Sequence, residues 1–328
     1  MPLRYRARDV EPFATRHIAL PAYAKVNLAL EVVGRRADGF HDLCSVVVIV
    51  DWHDLVTVRC ADSAGPGSVV VTADGATAQP DMAAPGGLAA RAAAAGRELG
   101  LPSATATAVS IHLHKRLPVA AGLGGGSADA AAVLRAMATL AAEPPPTGDL
   151  LQAAAELGSD APAALVGGTL LLEGRGDRLT PLPGRLLHLV IAVAGSSATA
   201  PVYAALRDTE RRSDGRAQRV ATALTAAGEL DPADLGSALE PAAARTNLEL
   251  AARLSALRHA LAEQTWYLTG SGGAAFALTA TAAAADQLAA RARAAGFPAR
   301  ACRTLTVAPL CTPRSPPTIR SRDRGRDP

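Results

Sequence analysis

Apolar residues at every second position mark the first half of the chain as strand-rich. Val26, Leu28 and Leu30 alternate within a predicted strand near 18–32, and further strands are predicted near 43–60 and 68–73. Val109, Ile111, Leu113 and Leu117 keep that period, or a multiple of it, and predict a strand over 107–117. The period then changes. From Ala128 the chain is alanine-rich, and Val133, Leu134, Met137 and Leu140 recur at helical spacing, which predicts helices over 127–142 and 149–157. The second half reads as a strand over 186–194, helices near 201–208, 216–228 and 248–263, a hairpin between Trp266 and Leu278, a helix over 281–295 and a strand over 299–307. Such an order predicts an α+β fold in two domains, 18–182 and 183–311, joined near Pro181 to Gly184, with extensions at 1–17 and 312–328.

The segment between the strand and helix periods carries the chemistry. Leu117 to Ala132 reads LPVAAGLGGGSADAAA, placing Gly122, Gly124, Gly125 and Gly126 before Ser127, which stands where an N-cap would. Glycines let backbone N–H groups approach a ligand, and the first helical turn adds unpaired donors and a positive dipole end. Together they predict an anion cradle, most often for phosphate. A Walker A loop is excluded, since no lysine follows Gly126. The dinucleotide fingerprint is excluded too: Ser127 takes the place of its third small residue, and Glu143 closes a helix instead of a strand. A ligand-free glycine turn is the bland alternative, but four glycines within five residues would be an entropically expensive way to build one.

Composition narrows the classes. With 49% hydrophobic but only 3% aromatic residues, the core must be built of Ala, Leu and Val. The net charge is +3, yet beyond Cys311 five arginines face two aspartates, so the body is near neutral and no basic nucleic-acid face is expected. That tail, with Pro313, Pro316 and Pro317, lacks apolar periodicity and reads as disordered. Cys44, Cys60, Cys302 and Cys311 have no CxxC spacing, which suits reduced thiols in the cytoplasm. No apolar run reaches membrane-spanning length, and the arginine-bearing stretch before His17 has no signal-peptide core.

Only Lys25 and Lys115 are lysine; the other thirty-one basic residues are arginine. A retained lysine marks a place that needs a compact ammonium. Lys25 and Asn27 share a strand face with Tyr23, opposite Val26 and Leu28, and that face could equally be solvated. Lys115, beside Arg116 at a strand end, reads as a solvated edge. His112 and His114 alternate on one strand face with no third ligand nearby, so they read as exposed positions. Asp160, before Ala161-Pro162, is read locally as a helix N-cap.

Five segments, in order, resemble one family. They are Pro21-Ala22-Tyr23-Ala24-Lys25-Val26-Asn27-Leu28; Arg36-Ala37-Asp38-Gly39-Phe40-His41; the glycine loop; Leu157-Gly158-Ser159-Asp160-Ala161-Pro162 with Gly167-Gly168-Thr169 and Gly174-Arg175-Gly176-Asp177; and Leu268-Thr269-Gly270-Ser271-Gly272-Gly273. The chain thus resembles the GHMP kinase superfamily, and the second segment resembles its members that phosphorylate a cytidine-diphosphate-linked methylerythritol in isoprenoid precursor synthesis. The resemblance implies a ribosomal S5 domain 2-like ATP domain, a ferredoxin-like second domain, and ATP with Mg²⁺ at a site between them. It implies Lys25 and Asp160 as catalytic pair and Asn27, Phe40 and His41 as substrate contacts, with phenylalanine at position 40 where the family usually has tyrosine. The implied ATP loop is Pro118, Val119, Ala120, Ala121, Gly122, Leu123, Gly124, Gly125, Gly126, Ser127 and Ala128, with Ser127 also toward the metal.

Three departures stand out against the pattern. Gly87-Leu88 replaces an Asn-Leu pair at the adenine side, Ser237-Ala238-Leu239-Glu240 replaces Asn-Asp-Leu-Glu, and the proline-glycine pattern between Gly195 and Ala200 is absent. Two other readings stay open here. One is a GHMP kinase acting on homoserine or mevalonate, which the Asp38 to His41 segment argues against; the other is a non-catalytic nucleotide- or RNA-binding protein on an S5-like fold. Small-molecule chemistry, with neither nucleic acid nor membrane as partner, is the expectation.

Overall fold

The computed structural model describes residues 15–62, 67–101, 106–211 and 213–306. The extensions expected at 1–17 and 312–328 lie outside the described residues, save that strand β1 (Thr15–Arg35) already begins at Thr15.

β1 pairs antiparallel with β2 (His41–Asp62) along nearly its whole length, broken by register shifts at Tyr23/Lys25, Asn27/Ala29 and Val32/Gly34. Such irregularities bend a long strand and re-aim its side chains. With β3 (Val69–Gly75), β4 (Ala106–Lys115) and the two-residue β8 (Gly236–Ser237) they form one path, β3-β4-β2-β1-β8. β5 (Thr169–Gly174) extends the sheet from β2, and β6 (Arg178–Leu182) from β5. Parallel β3 and β4 are linked through α1 (Leu88–Glu98), a crossover of the usual helical kind.

Helices α1, α2 (Gly125–Leu140), α3 (Thr147–Leu157) and α4 (Ala161–Val166) cover one face. Every residue of α2 from Ala128 to Ala138 is buried, which explains its alanines: larger side chains would not fit on all sides at once. A Cβ on Gly96 of α1 would stand 2.8 Å from the Met137 Cε, so these two helices touch through glycine.

The second sheet contains β7 (His188–Val193), β9 (Tyr267–Leu268), β10 (Ala274–Thr279) and β11 (Ala299–Arg303), ordered β11-β7-β10-β9 with every pair antiparallel. Helices α5 (Thr199–Ala204), α6 (Arg216–Thr225), α7 (Glu240–Thr246) and α8 (Leu248–Ala260) lie between β7 and β9, and α9 (Ala282–Ala294) joins β10 to β11. That strand order and alternation is the ferredoxin-like arrangement expected. β7 faces two ways: Val190 and Ala192 pack toward α8 and α9, whereas Leu189 and Ile191 join Val26, Leu28, Val46 and Val48 of the first sheet. The two sheets therefore share a core.

One charge fixes that junction. Glu31 of β1 is buried, and its carboxylate accepts from the Asp214, Gly215 and Ala217 N–H groups and the Ser213 hydroxyl. It serves the N-terminus of α6 as a borrowed cap, with the favourable dipole sign.

Candidate active site

The glycine loop, β1 and the β9–β10 turn interlock before any ligand is considered. Lys25 N–H donates to the Leu123 carbonyl (3.0 Å), Ala274 N–H to Ala121 (3.0 Å) and Ser197 N–H to Ala120 (2.8 Å). Gly122 (φ 76°) lies so close to the turn that a Cβ would stand 2.7 Å from the Thr269 carbonyl oxygen. Gly124 (φ 70°) has the same constraint against Lys25, whose Cγ would be 3.0 Å from that Cβ. Both positions need the left-handed backbone and the missing side chain. Gly124, not Ser127, occupies the N-cap of α2. Ser127 is displaced into the first turn because the helix begins three residues earlier than an N-cap at its hydroxyl would place it. There it lines the cleft, and its hydroxyl has no hydrogen-bond partner among the described residues.

Lys25 and Asn27 are buried, not solvated. The register shifts beside them turn both toward the loop. Lys25 Nζ donates to Asn27 Oδ1 at 2.6 Å and lies 3.5 Å from Asp160 Oδ2. Asn27 is held from every side: its N–H donates to Thr269 Oγ1 (2.9 Å) and its Nδ2 to Ser45 Oγ (2.8 Å), which itself donates to the Ala29 carbonyl. Asn27 thus positions Lys25 with both ends of its own amide engaged. Asp160 occupies the N-cap position of α4, but its side chain makes no capping bond. The carboxylate turns to Lys25 instead, and the local cap reading fails.

A cleft of about 1050 Å³ runs past this pair. Its walls include Gly87, Leu88, Leu113 and Lys115, the loop from Pro118 through Ser127, and a group made of Phe40, His41, Tyr203 and Arg175. Ala128, the last residue of the expected loop, is turned into the helical core. Tyr203 was not singled out in the sequence. Its ring lies 5.3 Å from that of His41 at 34°, and burial, with the Asp160 carboxylate adding to it, pushes its phenol well above the usual range. His41 Nε2 is buried without a partner. Burial first, then the charges of Arg211 and Arg35, lower the His41 pKa and favour the neutral imidazole. Phe40 is half-exposed, with the Arg175 guanidinium 3.7 Å above its centroid.

Lys115 is the clearest correction. Far from a solvated edge, it is 2% exposed, with Nζ bonded to Asp54 Oδ2 and, at 2.5 Å, to Asp129 Oδ2. Asp54 Oδ1 also accepts the Arg116 and Leu117 N–H groups, which fixes the chain as it leaves β4 for the loop. Two buried carboxylates share one ammonium. Asp54 has the better set of donors, so burial pushes Asp129 up to about 7, with the neighbouring Asp54 charge adding to it. A period-two strand pattern had no means of showing this, because both acids come from elsewhere in the chain.

Other expectations meet the structure more directly. His112 and His114 flank Asp74 across β3 and β4, at 3.4 and 2.6 Å. Gly87 starts α1 with no side-chain cap, and a Cβ there would stand 3.0 Å from the Met82 carbonyl. Ser237 Oγ donates to the Gly270 carbonyl (2.6 Å), and Glu240 pairs with Arg258 (2.5 Å), so the altered segment still holds the turn beside Lys25. Cys44 and Cys302 are buried free thiols pushed up to about 11 and about 12, chiefly by burial.

Comparison with known proteins agrees with this geometry. Residues 87–168 match the GHMP kinases N terminal domain. The 4-diphosphocytidyl-2-C-methyl-D-erythritol kinase of Pelotomaculum thermopropionicum is 39% identical over 277 residues, which is 83% of this chain and 92% of the relative. The chain belongs to the 4-diphosphocytidyl-2-C-methyl-D-erythritol kinase family. A crystal structure from that family, 4-(cytidine 5'-diphospho)-2C-methyl-D-erythritol kinase, superposes with a TM-score of 0.70 at 31% identity, covering 88% of this chain and 99% of its own. L. major mevalonate kinase in complex with R-mevalonate shares the fold, with a TM-score of 0.65 at 16% identity over 90% of this chain and 98% of its own. The family's two-domain α+β architecture is the one expected from the sequence.

Proposed function

We propose that this chain is an ATP-dependent kinase that phosphorylates the 2-hydroxyl of 4-diphosphocytidyl-2-C-methyl-D-erythritol. The observation that carries the reading is the convergence, in one cleft, of the glycine loop, the Lys25–Asp160 pair and an aromatic group made of Phe40, His41 and Tyr203. A loop alone suits any GHMP kinase; the aromatic group with a neutral, unpartnered imidazole nitrogen suits a pyrimidine base. Family membership supports the same acceptor.

Phosphoryl transfer asks the protein mainly for position and charge. The free N–H groups at the start of α2 face the β- and γ-phosphates, and the Lys25 ammonium, fixed by Asn27, offsets charge on the moving group. Asp160 orients the acceptor hydroxyl and accepts its proton. Adenine lies toward Leu88 and Leu113. The Ser127 hydroxyl, lining the cleft without a protein partner among the described residues, is an oxygen donor of the kind a hard divalent cation takes, and Ser127 would help hold Mg²⁺. When bound, that ion supplies charge neutralisation across the phosphates. Among the described residues no helix is long and apolar enough to cross a membrane, and we place the enzyme in the cytoplasm, acting on a small molecule.

ADP release tests the reading. The protein is assayed with ATP and Mg²⁺ against 4-diphosphocytidyl-2-C-methyl-D-erythritol, homoserine and R-mevalonate. Turnover confined to the first is expected. Turnover only with either of the others would replace the proposed acceptor.

A further inference from the structure

Arg175 stands at the tip of the β5–β6 turn, between Gly174 (φ 66°) and Gly176 (φ 93°), with its N–H held by Asp177 Oδ1 at 3.0 Å. A Cβ on Gly176 would lie 3.2 Å from the Ser159 carbonyl, so the turn rests against the residue before Asp160. From that base the side chain reaches Phe40, whose ring face its guanidinium covers at 3.7 Å. Arg175 therefore spans the stretch between the aromatic group and the catalytic pair.

The guanidinium is also uncommitted. Its Nε is buried without a hydrogen-bond partner, and among the described residues no hydrogen bond or ion pair ends on it. Three of the four other cations of the cleft wall contrast with it; the fourth, Arg35, likewise carries no side-chain hydrogen bond or ion pair among the described residues. Lys25 is held by Asn27 and Asp160, Lys115 by Asp54 and Asp129, and Arg211 by Asp208 and the Leu206 carbonyl. Asp38 senses the Arg175 charge but is already engaged by Arg36 at 3.1 Å. A cation parked on an aromatic face, with free donors and no counter-ion, is poised for an anion.

An acceptor with its base at Phe40 and its reacting hydroxyl at Asp160 carries its diphosphate across the span that Arg175 covers. We propose that Arg175 is the residue that recognises the diphosphate of the acceptor, leaving the face of Phe40 when the base stacks there and turning its planar fork to the phosphate oxygens. The proposal rests on the cytidyl-acceptor reading above. Arginine suits the task because its fork pairs two oxygens at once, which an ammonium does not.

The test compares CDP with cytidine by titration calorimetry in saturating ADP, for wild type, Arg175→Ala and Arg175→Lys. Wild type is expected to prefer CDP by about tenfold or more, the scale of one charge-assisted hydrogen bond. In Arg175→Ala that preference collapses toward unity while cytidine affinity is kept or improved, and Arg175→Lys restores part of it. KM for ATP stays unchanged, which also reports that the variants fold. An unaltered CDP preference in Arg175→Ala would overturn the assignment. So would a parallel loss of CDP and cytidine affinity, since Arg175 would then only shape the base end. If wild type binds neither ligand and turns over no cytidyl acceptor, the function reading fails and the proposal with it; turnover with an unaltered preference defeats the proposal alone.

Discussion

Asp160 shows why a single residue's local signal can point elsewhere than its contacts. Its position before Ala161-Pro162 is that of a cap, yet its oxygen lies 3.5 Å from the Lys25 ammonium. Asp160→Asn keeps the shape and removes the proton acceptor, so kcat should fall about 100-fold or more, with KM for ATP little changed. Steady-state kinetics with wild-type rates would remove Asp160 from proton transfer. Asp129 makes a second prediction, from the opposite kind of evidence. Its carboxyl is raised from 3.8 to about 7, so between those values the folded protein binds more protons than the unfolded chain. Stability from this group is then present at low pH and declines as pH rises through that window. Asp129→Asn cannot ionise and should flatten the decline. Urea titrations at pH 5 and pH 8 would check it, and an undiminished difference between the two would rule out Asp129 as the source.

At the scale of elements, Glu31 joins the two halves through one helix end. Its carboxylate serves three backbone N–H groups and a hydroxyl at the start of α6. Glu31→Ala leaves those donors without the carboxylate, only the Ala217 N–H among them on a buried residue, and should cost roughly 2 kcal/mol of stability; a change within experimental error would show that water replaces the carboxylate. Most elements were legible where the period was clean: β4 and α2 follow Val109-Ile111-Leu113 and Val133-Leu134-Met137 almost as read. Strands β5 and β6 were missed as short runs between predicted elements, and other missed elements had no such period. α1 is written LAARAAAAGRE, where alanine serves buried and exposed positions alike, and two-residue β8 exists only because β1 pairs with it at Ala29 and Leu30. The candidate site divides in the same way. Lys25, Asp160 and the loop came from sequence because they fall in motifs. Arg175 fell in a motif too but drew no role from it, while Tyr203 and the Lys115 cluster are assembled from separate segments, and only the unusual scarcity of lysine hinted at the last.

For the whole molecule, the question is whether residues 1–182 could fold alone, as a division into two domains near Leu182 suggests. The first sheet buries one face under α1 to α4, but its other face, with Ala24, Val26, Leu28, Val46, Val48 and Val50, is covered by Leu189, Ile191 and Phe276 of the second sheet and Val220 and Leu224 of α6. Removing residues 183–328 would expose that continuous apolar face, leave Glu31 without its four donors and strip β8 from the edge of β1. The glycine loop would lose its ties as well, because Ser197 and Ala274 donate to Ala120 and Ala121. A chain of residues 1–182 should therefore aggregate or melt without a cooperative transition, and it should bind no ATP. The full chain should unfold in one step, since its two sheets share a core. Calorimetry and nucleotide titration of the two chains would decide between the views. A soluble, cooperatively melting fragment that retains ATP affinity would mean that the shared core is an interface between independent domains and that the glycine loop is shaped by its own sheet alone.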